Sequence, residues 1–170
     1  MIRVVVDDLA AHPADAVVLP ATILLEATTP TSRRLSERGG ERFARDRRVS
    51  EELAVGAAVV TGGGDLSTEF VIHAVIQRTS DDPVTAKGLR RAWLSALERA
   101  QQWEFRRLAA PVLGSGPGNL PAGDAVSVMI DAWNEHHARA PLPEEITIVV
   151  ETEEDRAVLE PAVSRVKARE

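Results

Sequence analysis

LAAPVLGSGPGNLP, residues 108–121, passes from an apolar run into a glycine-rich loop and then into an amphipathic stretch that begins at Pro121. That order predicts a strand, a loop and a helix N-terminus. Three glycines in five positions, Gly114, Gly116 and Gly118, let the main chain take positive φ and approach a ligand with no Cβ in the way. The helix behind them adds unpaired N–H groups and the positive end of its dipole, a combination that suits a phosphate or pyrophosphate. Pro121 fits the first helical turn, where a missing N–H costs nothing. An ordinary βα turn carries the same glycines, so the remainder of the chain has to decide.

Downstream, Ala125, Val126, Met129, Ala132, Trp133 and His136 share one stripe of a helix over 122–137, which His136 and His137 close against its terminal carbonyls. A strand follows at 145–150, and then a last helix over 153–167 with Ala157, Val158, Pro161, Ala162 and Val166 on its apolar stripe. Its acids, Glu153, Glu154 and Asp155, fall in the first turn and its bases, Arg165 and Lys167, in the last, as the dipole favours. Upstream, Ala86, Leu89, Trp93, Ala96, Ala100 and Trp103 mark a core-facing helix over 85–103. The run FVIHAVI, 70–76, is a buried strand in which His73 reads as a core histidine, and GAAVVTGGGDL, 56–66, is a short strand entering a glycine turn.

Toward the N-terminus, apolar runs at 2–6 and 14–19 lack period-two alternation and read as strands buried on both faces. Asp8 follows the first of them. A carboxylate there can accept from an exocyclic amine such as that of adenine, or simply cap a turn. The hydroxyl-rich Thr28, Thr29, Pro30, Thr31 and Ser32 cap a helix through Arg38 that Gly39 and Gly40 end, and 41–53 forms a charged, exposed helix. Arg33 and Arg34 then lie at the end of the helix that repels cations. Such residues answer a bound anion or are solvated surface groups.

The 170 residues are 44% hydrophobic and 27% charged, enough chain for one three-layer core. Twenty basic residues against 26 acidic give a net charge of −6, so the attraction that drives nucleic acid polymer binding has no source. With no cysteine there is neither a disulfide nor a thiolate. The apolar runs are strand-sized and MIRVVVDDLA lacks the features of a signal peptide, so no membrane partner is expected and cytoplasmic is the default location. Strands alternating with helices predict an α/β protein, a three-layer α/β/α sandwich around a mixed, mostly parallel central sheet of about six strands. In such sheets ligands gather at the carboxyl ends of the strands, where Asp8, residues 20–33 and residues 114–119 converge.

Four blocks in order, DDLAAHPADAVVLPAT, GAAVVTGGGDL, FVIHAV and LAAPVLGSGPGNLP, resemble the macro domain, a fold that binds ADP-ribose. The resemblance spans nearly the whole chain and implies a single macro-like domain over 1–170. It implies that Asp8 holds the adenine amine and that Leu9 helps through its backbone. Gly114, Ser115, Gly116, Pro117, Gly118 and Asn119 would cradle the diphosphate and distal ribose. No cofactor and no metal are implied; ADP-ribose or a related small nucleotide, and ADP-ribosylated protein, are the implied partners.

The chain also departs from the family pattern. Where hydrolytic members show Val-Asn-Ala-Ala-Asn, residues 18–22 read Val18, Leu19, Pro20, Ala21 and Thr22, so the ribose-site amide becomes a shorter hydroxyl. Thr22 is the one candidate for a catalytic role. The glycine-rich first diphosphate loop is replaced by Thr28, Thr29, Pro30, Thr31, Ser32 and Arg33, and Pro117 removes a donor from the second. Losing two or three charge-assisted bonds of about 1.5–3 kcal/mol each, together with the amide, weakens ADP-ribose binding by a factor on the order of thousands, which Arg33 or Arg34 would restore in part. Three readings follow: a binder of ADP-ribose or a related nucleotide diphosphate with weak or no catalysis, an ADP-ribosyl hydrolase or ADP-ribose 1''-phosphate phosphatase, and a relic of the fold used for protein contact or another ligand.

Overall fold

A computed structural model describes the backbone of residues 1–167 and side chains through Arg165; the side chains of Val166 and Lys167, assigned above to the last helix, lie outside the described residues. The elements run β1 (Ile2–Val6), β2 (Ala16–Thr22), α1 (Pro30–Asp46), β3 (Ala58–Gly62), β4 (Phe70–Gln77), α2 (Ala86–Gln102), β5 (Arg107–Ala110), α3 (Ala122–His137), β6 (Glu145–Val150) and α4 (Glu153–Lys167). The sheet order is β1-β6-β5-β2-β4-β3, and only β3 runs antiparallel to its neighbour. This is the expected mixed, mostly parallel α/β sandwich.

Alternation along each strand sends neighbouring side chains to opposite faces. Ala16, Val18, Ile72, Ala74, Leu108, Ala110, Ile146 and Ile148 enter one core with residues of α2, α3 and α4. Val17, Leu19, Val71, Ala109 and Val149 enter the other with Leu35 and Phe43 of α1. Because both faces are covered, the central strands read as unbroken apolar runs. Farther along the second face, Ala21, Ile23, Leu25 and Val75 lie beneath Val49, Leu53 and Val55.

Four local expectations are corrected. β1 is an edge strand, and only Ile2 of its five residues is fully buried. The break at Gly39 and Gly40 falls where expected: Gly40, at φ +72° and ψ −166°, is non-helical, and α1 is two helical stretches joined there, the second ending at Asp46. The proposed helix over 41–53 therefore gives way after Asp46 to a chain whose valines and leucine cover the sheet. In α4 the buried face is Leu159, Ala162 and Val163, while Ala157, Val158 and Pro161 are exposed. The segment AVLEPAV is apolar on several sides, so spacing alone leaves its rotation open. Trp103, finally, sits at the C-cap of α2, half exposed, with its ring 5.3 Å from Phe70 and 6.0 Å from Phe105.

Candidate functional site

The parallel strands β1, β6, β5 and β2 bring their carboxyl ends to one edge of the sheet, and a cleft runs along it. It has two chambers, of about 410 and about 600 Å³, which share Thr31, Pro111, Val149 and Glu151.

Asp7, Asp8 and Leu9 line the smaller chamber. Asp8 Oδ1 accepts from the Ala10 N–H at 3.0 Å and Oδ2 from Arg38 Nη1 at 3.1 Å. The Arg38 guanidinium, and after it the Ala10 N–H, hold this carboxyl below its ordinary range, so it is ionised at neutral pH. Each oxygen retains a second acceptor site. The Leu9 side chain is buried, and its N–H meets no protein acceptor among the described residues. Asp7 is likewise held low, first by His12, whose Nδ1 lies 2.8 Å away, and then by the Asp8 N–H.

Ser115, Gly116, Pro117 and Asn119 form one wall of the larger chamber. Gly114 and Gly118 do not line it. Gly114, at φ +74°, turns the chain over Val84 and Leu89, and Gly118, at φ +79°, closes the loop. The Asn119 N–H donates to Gly116 O at 3.0 Å and the Leu120 N–H to Gly114 O at 3.1 Å. The N–H groups of Ser115 and Gly118 have no protein acceptor among the described residues. Pro121 occupies the N-cap of α3 rather than its first turn, and no side chain among the described residues caps the helix. With Ala122 on the chamber wall, the positive end of α3 faces the same space.

The opposite wall, Thr28, Thr29, Pro30 and Thr31, is built differently. Thr29 and Ser32 form a capping box. Ser32 Oγ accepts from the N–H groups of Thr28 and Thr29 at 3.2 and 3.0 Å, and Thr29 Oγ1 accepts from the Ser32 N–H at 3.1 Å. The main-chain donors of Thr28, Thr29 and Ser32 are thus engaged by the turn's own hydroxyls, while the Thr31 N–H has no protein acceptor among the described residues. Thr28 Oγ1 is buried in this wall and unpartnered among the described residues.

Thr22 lies apart from both chambers. It is 1% exposed, and its hydroxyl accepts from the N–H groups of Leu24 and Glu26, at 3.4 and 3.2 Å, where β2 turns out of the sheet. Of the two arginines, Arg34 lines the cleft and ion-pairs with Glu151, whereas Arg33 is exposed and lines neither chamber. His73 is a core residue, as expected, 2.8 Å from Thr61 Oγ1 and stacked on Phe43. His136 contacts Leu142 O at 2.8 Å, beyond its helix rather than on the helix's last carbonyls.

Arg38 and Glu151 escaped the sequence reading as site residues, whereas Thr31 lies in the stretch read as replacing the first diphosphate loop. Glu151 follows the last residue of β6, and the rule that ligands gather at the carboxyl ends of parallel strands was the available signal.

The model of the Macro domain family matches residues 19–129, well over half of the chain. The chain belongs to the macro domain family. An O-acetyl-ADP-ribose deacetylase of Enterobacter sp. strain 638 is 33% identical over 111 residues, which cover 64% of this macro domain and 61% of that protein. An uncharacterized protein of Aquifex aeolicus is 31% identical over 133 residues, 76% of this chain and 79% of the other. An Oceanobacillus iheyensis macrodomain mutant with ADPR superimposes with a TM-score of 0.84 at 18% identity, covering 98% and 94% of the two chains. A Trypanosoma brucei macrodomain in complex with ADP-ribose gives 0.83 at 16% identity over 95% and 68%. At these identities the superpositions establish the fold alone. No helix among the described residues is long and apolar enough to cross a membrane.

Proposed function

We propose that this macro domain binds ADP-ribose or a related nucleotide diphosphate, with weak or no catalysis, in a cytoplasmic setting. One observation carries the reading: two chambers that share Thr31, Pro111, Val149 and Glu151 set an ionised acceptor, Asp8, in one and the unpartnered amide of Ser115 in the other. Adenine supplies a donor for Asp8 from its exocyclic amine and an acceptor for the Leu9 N–H from its ring. The distal half of the ligand then reaches the glycine loop and the uncapped start of α3. The ligands named for the Oceanobacillus and Trypanosoma structures support the same ligand class.

Weak catalysis is supported by the surroundings of Thr22, whose hydroxyl serves the 22–26 turn and does not line the cleft. Isothermal titration with ADP-ribose tests the binding reading, and absence of heat at millimolar ligand overturns it. The deacetylase name of the Enterobacter relative makes hydrolysis of O-acetyl-ADP-ribose the reaction with which to test the weak-catalysis reading. Fast turnover would replace it with an enzyme.

A further inference from the structure

The two chambers meet at a waist formed by Thr31, Pro111, Val149 and Glu151. In ADP-ribose the diphosphate is the link between adenosine and the distal ribose. A molecule with its adenine at Asp8 and its ribose at Ser115 to Pro117 therefore carries its two negative charges across this waist. On the α1 side the Thr28, Thr29 and Ser32 N–H groups already bond to hydroxyls and Pro30 has none, which leaves the Thr31 N–H as the main-chain donor without a protein acceptor on this wall among the described residues.

Among the described residues two guanidiniums line the cleft, Arg34 and Arg38, against four carboxylates: Asp7, Asp8, Glu151 and Asp155. Arg38 is held by Asp8 at the adenine end. Arg34 lies at the waist, where its Nη2 ion-pairs with Glu151 Oε1 and reaches Thr31 Oγ1 at 3.4 Å; Thr31 Oγ1 donates in turn to Glu151 at 3.4 Å. The carboxylate of Glu151 thus occupies the partner position that a phosphate oxygen would take.

Building on the nucleotide-binding reading, we infer that Arg34 is the side chain that recognises the ligand's diphosphate, and that Glu151 is a resident anion the diphosphate must displace from it. Both members of the pair are more than half exposed, so exchanging partners buries no orphaned charge. Binding then depends on a swap of one anion for another at a fixed cation, with the Thr31 N–H the one unpartnered main-chain donor on the 28–32 wall among the described residues. Glu151 sets the threshold: ligands with a phosphate at the waist can displace it, and adenosine has nothing to offer Arg34.

The test is isothermal titration of the full chain with ADP-ribose and with adenosine, for wild type, Glu151→Gln, Arg34→Met and the double variant. Removing the competitor should raise ADP-ribose affinity about tenfold, and removing Arg34 should lower it by about tenfold or more, the scale of one charge-assisted bond. In the Arg34→Met background the gain from Glu151→Gln should shrink to about a third or less of its original factor, since most of it acts through Arg34. Binding by Glu151→Gln where wild type shows none supports Glu151 as the resident competitor while overturning the reading that the wild-type chain binds ADP-ribose. An unchanged ADP-ribose affinity in Glu151→Gln, an equal gain in the absence of Arg34, or an equal gain for adenosine overturns it while the binding reading stands. Absence of ADP-ribose binding in both wild type and Glu151→Gln overturns both.

Discussion

Asn119 fastens the glycine loop to the entry of α2: its Oδ1 accepts the main-chain N–H of Val84 at 3.1 Å, across 35 residues of sequence. Val84 is buried, so Asn119→Ala leaves its N–H without an acceptor and should cost about 1–3 kcal/mol of stability. Asn119→Asp keeps the acceptor and should fold nearly as well as wild type, but it adds a negative charge beside the proposed anion and should bind ADP-ribose more weakly. Urea denaturation and titration of both variants separate the two effects. Equal stability of Asn119→Ala and wild type would remove the anchoring role.

Gly114 and Gly118 have similar positive φ angles, +74° and +79°, but different surroundings. A Cβ at Gly114 would lie 2.9 Å from Val84 Cγ1 and 3.4 Å from Leu89 Cδ2, whereas none of the atoms considered lies within 4 Å of one at Gly118. Gly118→Ala should therefore cost only the backbone strain, on the order of 1 kcal/mol, and Gly114→Ala should cost clearly more because steric overlap in a packed core is added. Thermal unfolding of the two variants checks the order, and a larger loss at Gly118 would contradict it.

His73 makes the fold sensitive to acid. Burial first, and the charge of Arg47 second, push its pKa down from 6.5 to about 3. The unfolded chain then takes up a proton below about pH 6.5 that the folded chain refuses until about pH 3. Stability from this group is complete above the unfolded value and is lost as pH falls toward the folded one, at about 1 kcal/mol per pH unit. His73→Phe preserves a ring against Phe43, and Thr61 Oγ1 retains Gly62 O as its acceptor. Urea midpoints between pH 7 and pH 5 should fall more gently in this variant than in wild type, and parallel slopes would show that His73 does not carry the dependence.

The loop at 114–119 could be read from the chain because its glycines adopt conformations that other residues resist, and because a clear helical stripe follows it. The central strands were legible for a related reason: a segment buried on both faces has to be apolar at every position. β1 is apolar but for Arg3, and its place at the sheet edge follows from its pairing with β6 alone. The Gly39 and Gly40 pair reads as a helix end and does interrupt α1, with the Asp65 N–H donating to Gly39 O beside the break at 3.0 Å; what the charged stretch after it did not show is that the second helical piece stops at Asp46. At the site, Asp8 stood out as an acid next to a strand end. Its partner Arg38 is thirty residues away on another element, and Glu151 is one acid among many, so these pairings emerge only from the packing.

Arg38 should shape the acid limit of ligand binding through Asp8. The Arg38 guanidinium, followed by the Ala10 N–H, lowers the Asp8 pKa, so the carboxylate survives as an acceptor to a lower pH than an unpaired aspartate, whose ordinary value is about 3.9. The sign follows from linkage. A depressed folded pKa contributes stability that is present above the unfolded value and lost as pH falls through the folded one, and the acceptor proposed for the adenine amine disappears over the same range. Arg38→Met removes the largest cause, so the Asp8 pKa rises toward the ordinary value and the loss of ADP-ribose affinity on acidification should begin at higher pH than in wild type. Affinities measured from pH 7 to pH 4 for both proteins give the comparison, and the ligand's own titration is common to the two and cancels in their ratio. Asp8→Asn should flatten the protein's contribution altogether while lowering affinity at neutral pH, because one carboxylate oxygen is replaced by a donor facing the adenine amine. A constant ratio between wild type and Arg38→Met across this range would mean that the ion pair does not control Asp8.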